Sequence, residues 1–496
     1  MAQKQQSSIA QNAVLRVILN VFNVIIPIIT GPYLARTLDV QLYGIYNQSL
    51  SLVGFLLPFA GFGIYNYGIR EISKLKHDER KLSKLFTMLF SVGAASSILV
   101  LVVYLAYLIG FAEYNHESIY FVMSLQIIAA IFNVEYMNEA YENYKFIVYK
   151  TLLVRVLNVF LILLCVRKPD DVLVYAFIYS FLQFLNYFLS FISIKSKVIF
   201  SRISWSDIRS ILKPLAIMFV LMNCSMLYTN LDRLIMSFAT DGVYVTYYTF
   251  SQVIINLFIN VMNSIIIVTL PRLSAYIGKQ DFDSYKALVS KSSSVFFMLG
   301  IPMCFGFFVL SDIIMFLYGG AQYIDAGTTF AIFSLRMLVW MIEYVIANQI
   351  LFIQGYEKKI TAIYFVGGGM NLIVKLLLAF GNVLDSETAI FSTAIIELFV
   401  VFTEIYVIKK EKIEGLQGVV KKYFSYFAMS ILFVAIAFVN RKLIPFSYAF
   451  ELKLILYIGV TVLECVAVYV LALAVTKDSN YQDAKAMIIR KLRSMK

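Results

Sequence analysis

Arg16, Arg155, Arg336, Glu343, Lys375, Glu397 and Glu404 all fall inside long apolar stretches, where an ionised group is costly. Arg336 sits about ten residues into its stretch, near mid-membrane, where reaching either surface is hardest. Glu343 shares its helical face seven residues on, two turns away, so a direct ion pair between them needs long reaches or water. Lys375 and Asn371 share a face of the next stretch. Glu397 and Glu404 share a face of the one after, again seven apart, with Glu404 expected at the interface. Several cations in a membrane cavity suit an anion: guanidinium bonds phosphate bidentately and ammonium acts as a point charge. Arg16, Arg155, Arg336 and Lys375 are therefore candidate ligands for a phosphorylated substrate. Glu343 and Glu397 are candidates for a coupling H⁺ or Na⁺, or for neutralising those cations. Arg16 and Arg155 lie about one turn from the expected membrane edge, so snorkelling to the surface is an equal reading for them.

Polar stripes at helical spacing supply the remaining candidates. Asn12, Arg16, Asn20, Asn23, Pro27 and Thr30 recur at steps of three or four. Thr151, Arg155 and Asn158 do the same, as do Gln252, Asn256, Asn260 and Asn263. Any one stripe suits hydrogen bonding between helices. Several together suit a shared polar cavity, in which Asn20, Asn23, Asn158, Gln252, Asn256 and Asn260 would bind hydroxyl-rich groups. Nothing here points to covalent chemistry, so the chain reads as no enzyme. His77 and His116 lie far apart in loops and the four cysteines lie in apolar stretches, so no metal site or cofactor is expected. Gly367, Gly368 and Gly369 lack the strand-turn-helix setting of a phosphate loop and read as close helix packing.

The elements that must hold these residues are membrane helices. Of 496 residues 60% are hydrophobic and only 15% charged, too few charges for a soluble chain of this length. The class is all-α and polytopic, with about fourteen spans: 12–34, 43–66, 86–110, 118–137, 151–167, 172–194, 212–236, 245–270, 292–317, 327–352, 360–381, 388–408, 423–440 and 452–475. Of the 42 Lys and Arg, 31 fall in one set of alternate loops and ends and six in the other, which places both termini in the cytoplasm. The net charge of +12 thus reports membrane orientation, and nucleic acid is excluded as a partner. No loop is long enough to fold as a catalytic domain. The segment 195–211, with Trp205 between Ile203 and Ile208, suits the membrane surface.

A faint internal repeat accompanies the span count. Leu34, Arg36 and Leu38 find counterparts in Leu231, Arg233 and Ile235, while Tyr46, Ile72 and Ser73 match Tyr247, Leu273 and Ser274. Six spans separate the copies, so both halves share one orientation, a parallel repeat common among alternating-access transporters.

The run Gly31-Pro32-Tyr33-Leu34-Ala35-Arg36-Thr37-Leu38, with Tyr43-Gly44-Ile45-Tyr46 and Tyr67-Gly68-Ile69-Arg70-Glu71-Ile72, resembles the opening of the bacterial polysaccharide flippases. Leu231-Asp232-Arg233-Leu234-Ile235 and Tyr247-Tyr248 resemble the same family's seventh and eighth helices. Asp39 and Ser237 stand where that family usually carries Gly. The resemblance implies a member of the multidrug/oligosaccharidyl-lipid/polysaccharide (MOP) superfamily. It would have two pseudo-symmetric six-helix lobes, 1–200 and 201–410, and two further helices with a basic tail in 411–496. The implied function is flipping of polyprenyl-pyrophosphate-linked oligosaccharide across the bacterial cytoplasmic membrane for capsule, exopolysaccharide or O-antigen. The implied partners are membrane lipids and the polymerase and glycosyltransferases of the same pathway. An ion-coupled multidrug exporter of the same architecture is the alternative. It should carry acids in its first lobe, where this chain has Arg16 and Arg155 and only Glu135 near an edge.

Overall fold

A computed structural model describes residues 22, 25–75, 78–111, 117–195, 197–223 and 231–494. Among them twelve helices are long and apolar enough to cross a membrane. They correspond one to one with twelve of the fourteen expected spans. The other two, 12–34 and 212–236, include residues outside those described. Helix is the structure that satisfies its own backbone in hydrocarbon, and no strand occurs among the described residues.

Local chemistry sets several helix ends. Asp39 accepts from the amides of Gln41 and Leu42, both at 3.0 Å, and caps Val40–Gly61. A carboxylate therefore caps a helix at the position where the resemblance led to an expectation of glycine. Asp385 and Thr388 form a capping box at the start of Ser386–Lys410. Two spans are interrupted. Val40–Gly61, with Pro58 in its last turn, ends at Phe62-Gly63 before Ile64–Leu75, and Glu117–Ala130 breaks before Glu135–Ala140. Gly63 has φ +70°, and a Cβ there would lie 2.6 Å from the Leu215 carbonyl oxygen, so only glycine fits this turn.

The chain divides into two compact units, Met1–Thr246 and Tyr247–Lys496. In the first, Val40–Gly61 packs on Glu79–Phe111 and Glu117–Ala130, and the last of these packs on Val172–Ile194. Ile72, Leu82, Phe86, Leu89, Val134 and Met137 form a core near one end. Gly44 meets Gly242 backbone to backbone, a Cβ on either lying 2.6 Å from the other's carbonyl carbon. The helix Trp205–Asn223 is tied to Glu79–Phe111 by Lys84 and Asp207 at 2.7 Å.

In the second unit Phe282–Val309 packs on Ala326–Val345 and Leu416–Ser430. Ser386–Lys410 lies between Ala326–Val345 and Glu357–Phe380. The last two spans belong to this unit: the Tyr423 hydroxyl donates to the Leu338 carbonyl at 3.0 Å and the Tyr469 hydroxyl to that of Met298 at 2.8 Å. Ala326–Val345 runs directly into a π-helix, Ile346–Phe352. Gln349 within it is fully buried and donates to Thr269 Oγ1 at 2.7 Å and Ser292 Oγ at 2.9 Å.

Candidate functional site

Two layers of polar side chains join Ala326–Val345 to Ser386–Lys410, and two carboxylates stand at a third level. Thr329 and Ser386 hydroxyls meet at 2.7 Å. One helical stage further, Arg336 donates Nε–H to Glu397 at 2.9 Å, and a second guanidinium nitrogen bonds the other carboxylate oxygen. The two contacts together require the helices to run parallel. Seven residues past each member of that pair stand Glu343 and Glu404, about 10 Å along the axis. Tyr364 donates to Glu343 from Glu357–Phe380. Glu404, expected at the interface, is fully buried, and neither of its carboxylate oxygens has a hydrogen-bond partner.

Arg336 is thus bonded bidentately to Glu397, two of the predicted site residues brought together across helices. Lys375 is also fully buried. Its ammonium donates to Asn371 Oδ1 at 3.2 Å, Ser392 Oγ at 2.7 Å, Thr393 Oγ1 at 2.9 Å and the Ala389 carbonyl, stitching Glu357–Phe380 to Ser386–Lys410.

In the first unit the span expected at 151–167 begins seven residues earlier, at Tyr144. Arg155 is therefore the twelfth of 22 residues, at mid-helix, and no longer one turn from an edge. It is partly buried, and its Nε lies buried with no hydrogen-bond partner. Tyr179, on Val172–Ile194, lies within electrostatic reach of both Arg155 and Arg233. Asn158, one turn on from Arg155, is likewise partly buried. In the second unit Gln252 is partly buried, while Asn256 and Asn260, one turn apart, are exposed. Arg16, Asn20 and Asn23 lie outside the described residues.

One ionic cluster escaped the sequence reading. Lys150, counted there as a loop cation, is buried inside Tyr144–Cys165 and pairs with Glu135 at 2.8 Å and Ser190 Oγ at 2.5 Å. Glu135 opens the short helix after the break in its span, and Asn138 in that helix bonds Ser193 at 3.1 Å. The available signal was a lone acid inside an apolar stretch, which a buried partner must balance.

Residues 9–277 match the family described as "Polysaccharide biosynthesis protein". The protein named "Putative O-antigen transporter" of Escherichia coli (strain K12) is 20% identical over 375 residues, 74% of this chain and 89% of that protein. Its namesake from Shigella dysenteriae is 20% identical over 372 residues, 75% and 92% of the two chains. Among solved structures, an inward closed conformation of the lipid II flippase MurJ superposes over 96% of this chain and 99% of its own, with TM-score 0.69 at 13% identity. An inward-facing multidrug resistance MATE family transporter of the MOP superfamily covers 78% of this chain and 99% of its own, with TM-score 0.52 at 15% identity. The two structural likenesses give the fold, and the family match, spanning more than half the sequence, gives the membership: the chain belongs to the family described as "Polysaccharide biosynthesis protein".

Proposed function

We propose that this protein flips a polyprenyl-pyrophosphate-linked oligosaccharide from the inner to the outer leaflet of the bacterial cytoplasmic membrane by alternating access, with both termini cytoplasmic. Its product would be extended by separate polymerase and glycosyltransferase enzymes of capsule, exopolysaccharide or O-antigen assembly. The observation that carries the reading is Arg155: a mid-helix guanidinium with a buried, unbonded Nε donor. A buried donor without an acceptor is unfavourable, and a pyrophosphate oxygen is the acceptor a guanidinium suits best. Tyr179, within electrostatic reach of it, adds a hydroxyl. Arg336 and Lys375 are already bonded within the second unit, so we assign them to holding that helix bundle together while Arg155 and Arg16 meet the phosphates. Asn20, Asn23, Asn158, Gln252, Asn256 and Asn260 are assigned to the sugar hydroxyls, the polyprenyl chain remaining in lipid.

The test is flipping of a polyprenyl-pyrophosphate oligosaccharide in liposomes carrying the purified protein, read as sugar newly accessible to an external glycosidase. Arg155→Ala should slow exposure by about 10–100-fold, the loss of one charge-assisted hydrogen bond worth about 1.5–3 kcal/mol. Arg155→Glu should abolish it with insertion unchanged. Full activity of Arg155→Glu would remove that residue from the site. Absence of flipping, alongside efflux of a cationic dye, would replace the flippase reading with drug export.

A further inference from the structure

An apolar groove of about 590 Å³ lies in the first unit, outside the Arg155 site. Phe55 and Phe59 of Val40–Gly61, Leu99 and Val103 of Glu79–Phe111, and Trp205 and Ile208 of Trp205–Asn223 are among its walls. Ser91 and Ser96 are the hydroxyls that line it, and Ser96 donates to the Ala60 carbonyl at 2.7 Å. Leu99, Val103 and Trp205 are each more than half exposed, so no described residue fills the space beside them. On Glu79–Phe111 the lining runs from Ser91 to Val103, about 18 Å of helix. That is close to the depth of one leaflet, half of a hydrocarbon core about 30 Å thick. An acyl chain of one leaflet matches this length, whereas a polyprenyl chain overruns it.

One end of the groove is cationic. The Lys84–Asp207 pair holds the first turn of Trp205–Asn223 beside the start of Glu79–Phe111, so Trp205 marks the end that faces the cytoplasm in the proposed topology. An exposed tryptophan suits the level of the lipid head groups. Trp205, Ile208 and Leu212 step by three and four and share the groove-lining stripe. Arg209 and Lys213, each one position past that stripe, are both exposed. Residues 195–213 carry five basic residues and a single acid, Asp207, which Lys84 neutralises. An apolar slot one leaflet deep, with basic residues at its head-group end, suits an anionic lipid. We propose that the groove holds an acyl chain of one anionic phospholipid of the cytoplasmic leaflet, with its phosphate at Arg209 and Lys213. The groove shares no residue with the Arg155 site, so this lipid site does not depend on the flippase reading.

The test is quenching of Trp205 by phosphatidylglycerol brominated near the head-group end of its acyl chains. The lipid is mixed into phosphatidylcholine vesicles carrying the full chain with Trp340→Phe, which leaves Trp205 as the single tryptophan. Quenching should saturate, and half-quenching should need roughly tenfold less phosphatidylglycerol than phosphatidylcholine brominated at the same carbons, the effect of two cations near the head group. Arg209→Glu combined with Lys213→Glu should remove that preference. Ala95→Phe puts a ring into the groove from an exposed lining position. It should remove the saturating phase and leave only the gradual quenching of bulk lipid. Equal midpoints for the two lipids in the parent protein overturn the proposal whether or not either variant folds. A saturating phase unchanged in a folded Ala95→Phe protein, as judged by circular dichroism, also overturns it. Displacement of the brominated lipid by an equimolar amount of polyprenyl phosphate would overturn it in favour of the transported lipid's own chain.

Discussion

Lys150, Glu135 and Ser190 form a buried ionic group in the first unit, with the Lys150 side chain 3% exposed. Removing one member strands a charge, so Lys150→Met should destabilise the protein by about 3–5 kcal/mol. Lys150→Met combined with Glu135→Leu should recover most of that loss, because an apolar pair of similar volume has no desolvation to offset. Thermal unfolding in detergent micelles, followed by circular dichroism, measures both. The same logic separates Arg155 from Arg336. Arg336 has its carboxylate, whereas Arg155 keeps a buried donor unused, and a ligand is the natural acceptor. Glu397→Gln should therefore lower stability through Arg336, whereas Arg155→Gln should lower transport and leave unfolding nearly unchanged.

Among the elements, close approach decides more than polarity. Gly44 and Gly242 bring two helices into backbone contact, and an added methyl forces them apart. Gly44→Ala should cost about 1–3 kcal/mol by overpacking, and Gly44→Leu should prevent assembly of the unit, as judged by size-exclusion chromatography in detergent. The helix Trp205–Asn223 depends on a different contact. Hydrogen bonding to Lys84, then to the Ser204 amide and hydroxyl, holds the Asp207 carboxyl down at about 2, below the ordinary carboxylate value of about 3.9. A lowered folded value means that the tie contributes fully above about pH 4 and is lost as pH falls through about 2. Trp205 fluorescence in a Trp340→Phe background should be flat from neutral pH to about 4 and change only below it. Asp207→Asn should give the acid-form spectrum at neutral pH.

For the whole molecule the transport reading rests on orientation as well as on charge. If the termini are cytoplasmic, single cysteines placed at 78 and at 483, in a background without the native four, should react with a membrane-impermeant maleimide only in inside-out vesicles. Reaction at either position in right-side-out vesicles would invert the topology and with it the direction of flipping. The division of the chain into its two compact units falls within the helix Gly242–Ile267, between Thr246 and Tyr247. Tyr247 is also where the second copy of the sequence repeat resumes, opposite Tyr46.

Apolar length and the distribution of Lys and Arg are properties of the sequence that a bilayer reads directly, so the sequence alone determined a helical, many-spanned chain and located twelve spans, some with an end displaced by seven to ten residues. The motif around Gly31–Leu38 likewise carried the family. Helical period placed Arg336 with Glu343 and Glu397 with Glu404, since residues seven apart on one helix share a face. What period cannot give is the partner on another helix. Whether Arg336 bonds Glu397 or Glu343, whether Lys150 sits in a loop or a core, and whether Glu404 meets water depend on which helices lie side by side and in what register. Those are set by packing between segments distant in sequence, through contacts such as Thr329 with Ser386 and Asn371 with Thr393. Only the tertiary structure turned a row of charged residues into one closed ion pair, one bonded lysine and one unpartnered carboxylate.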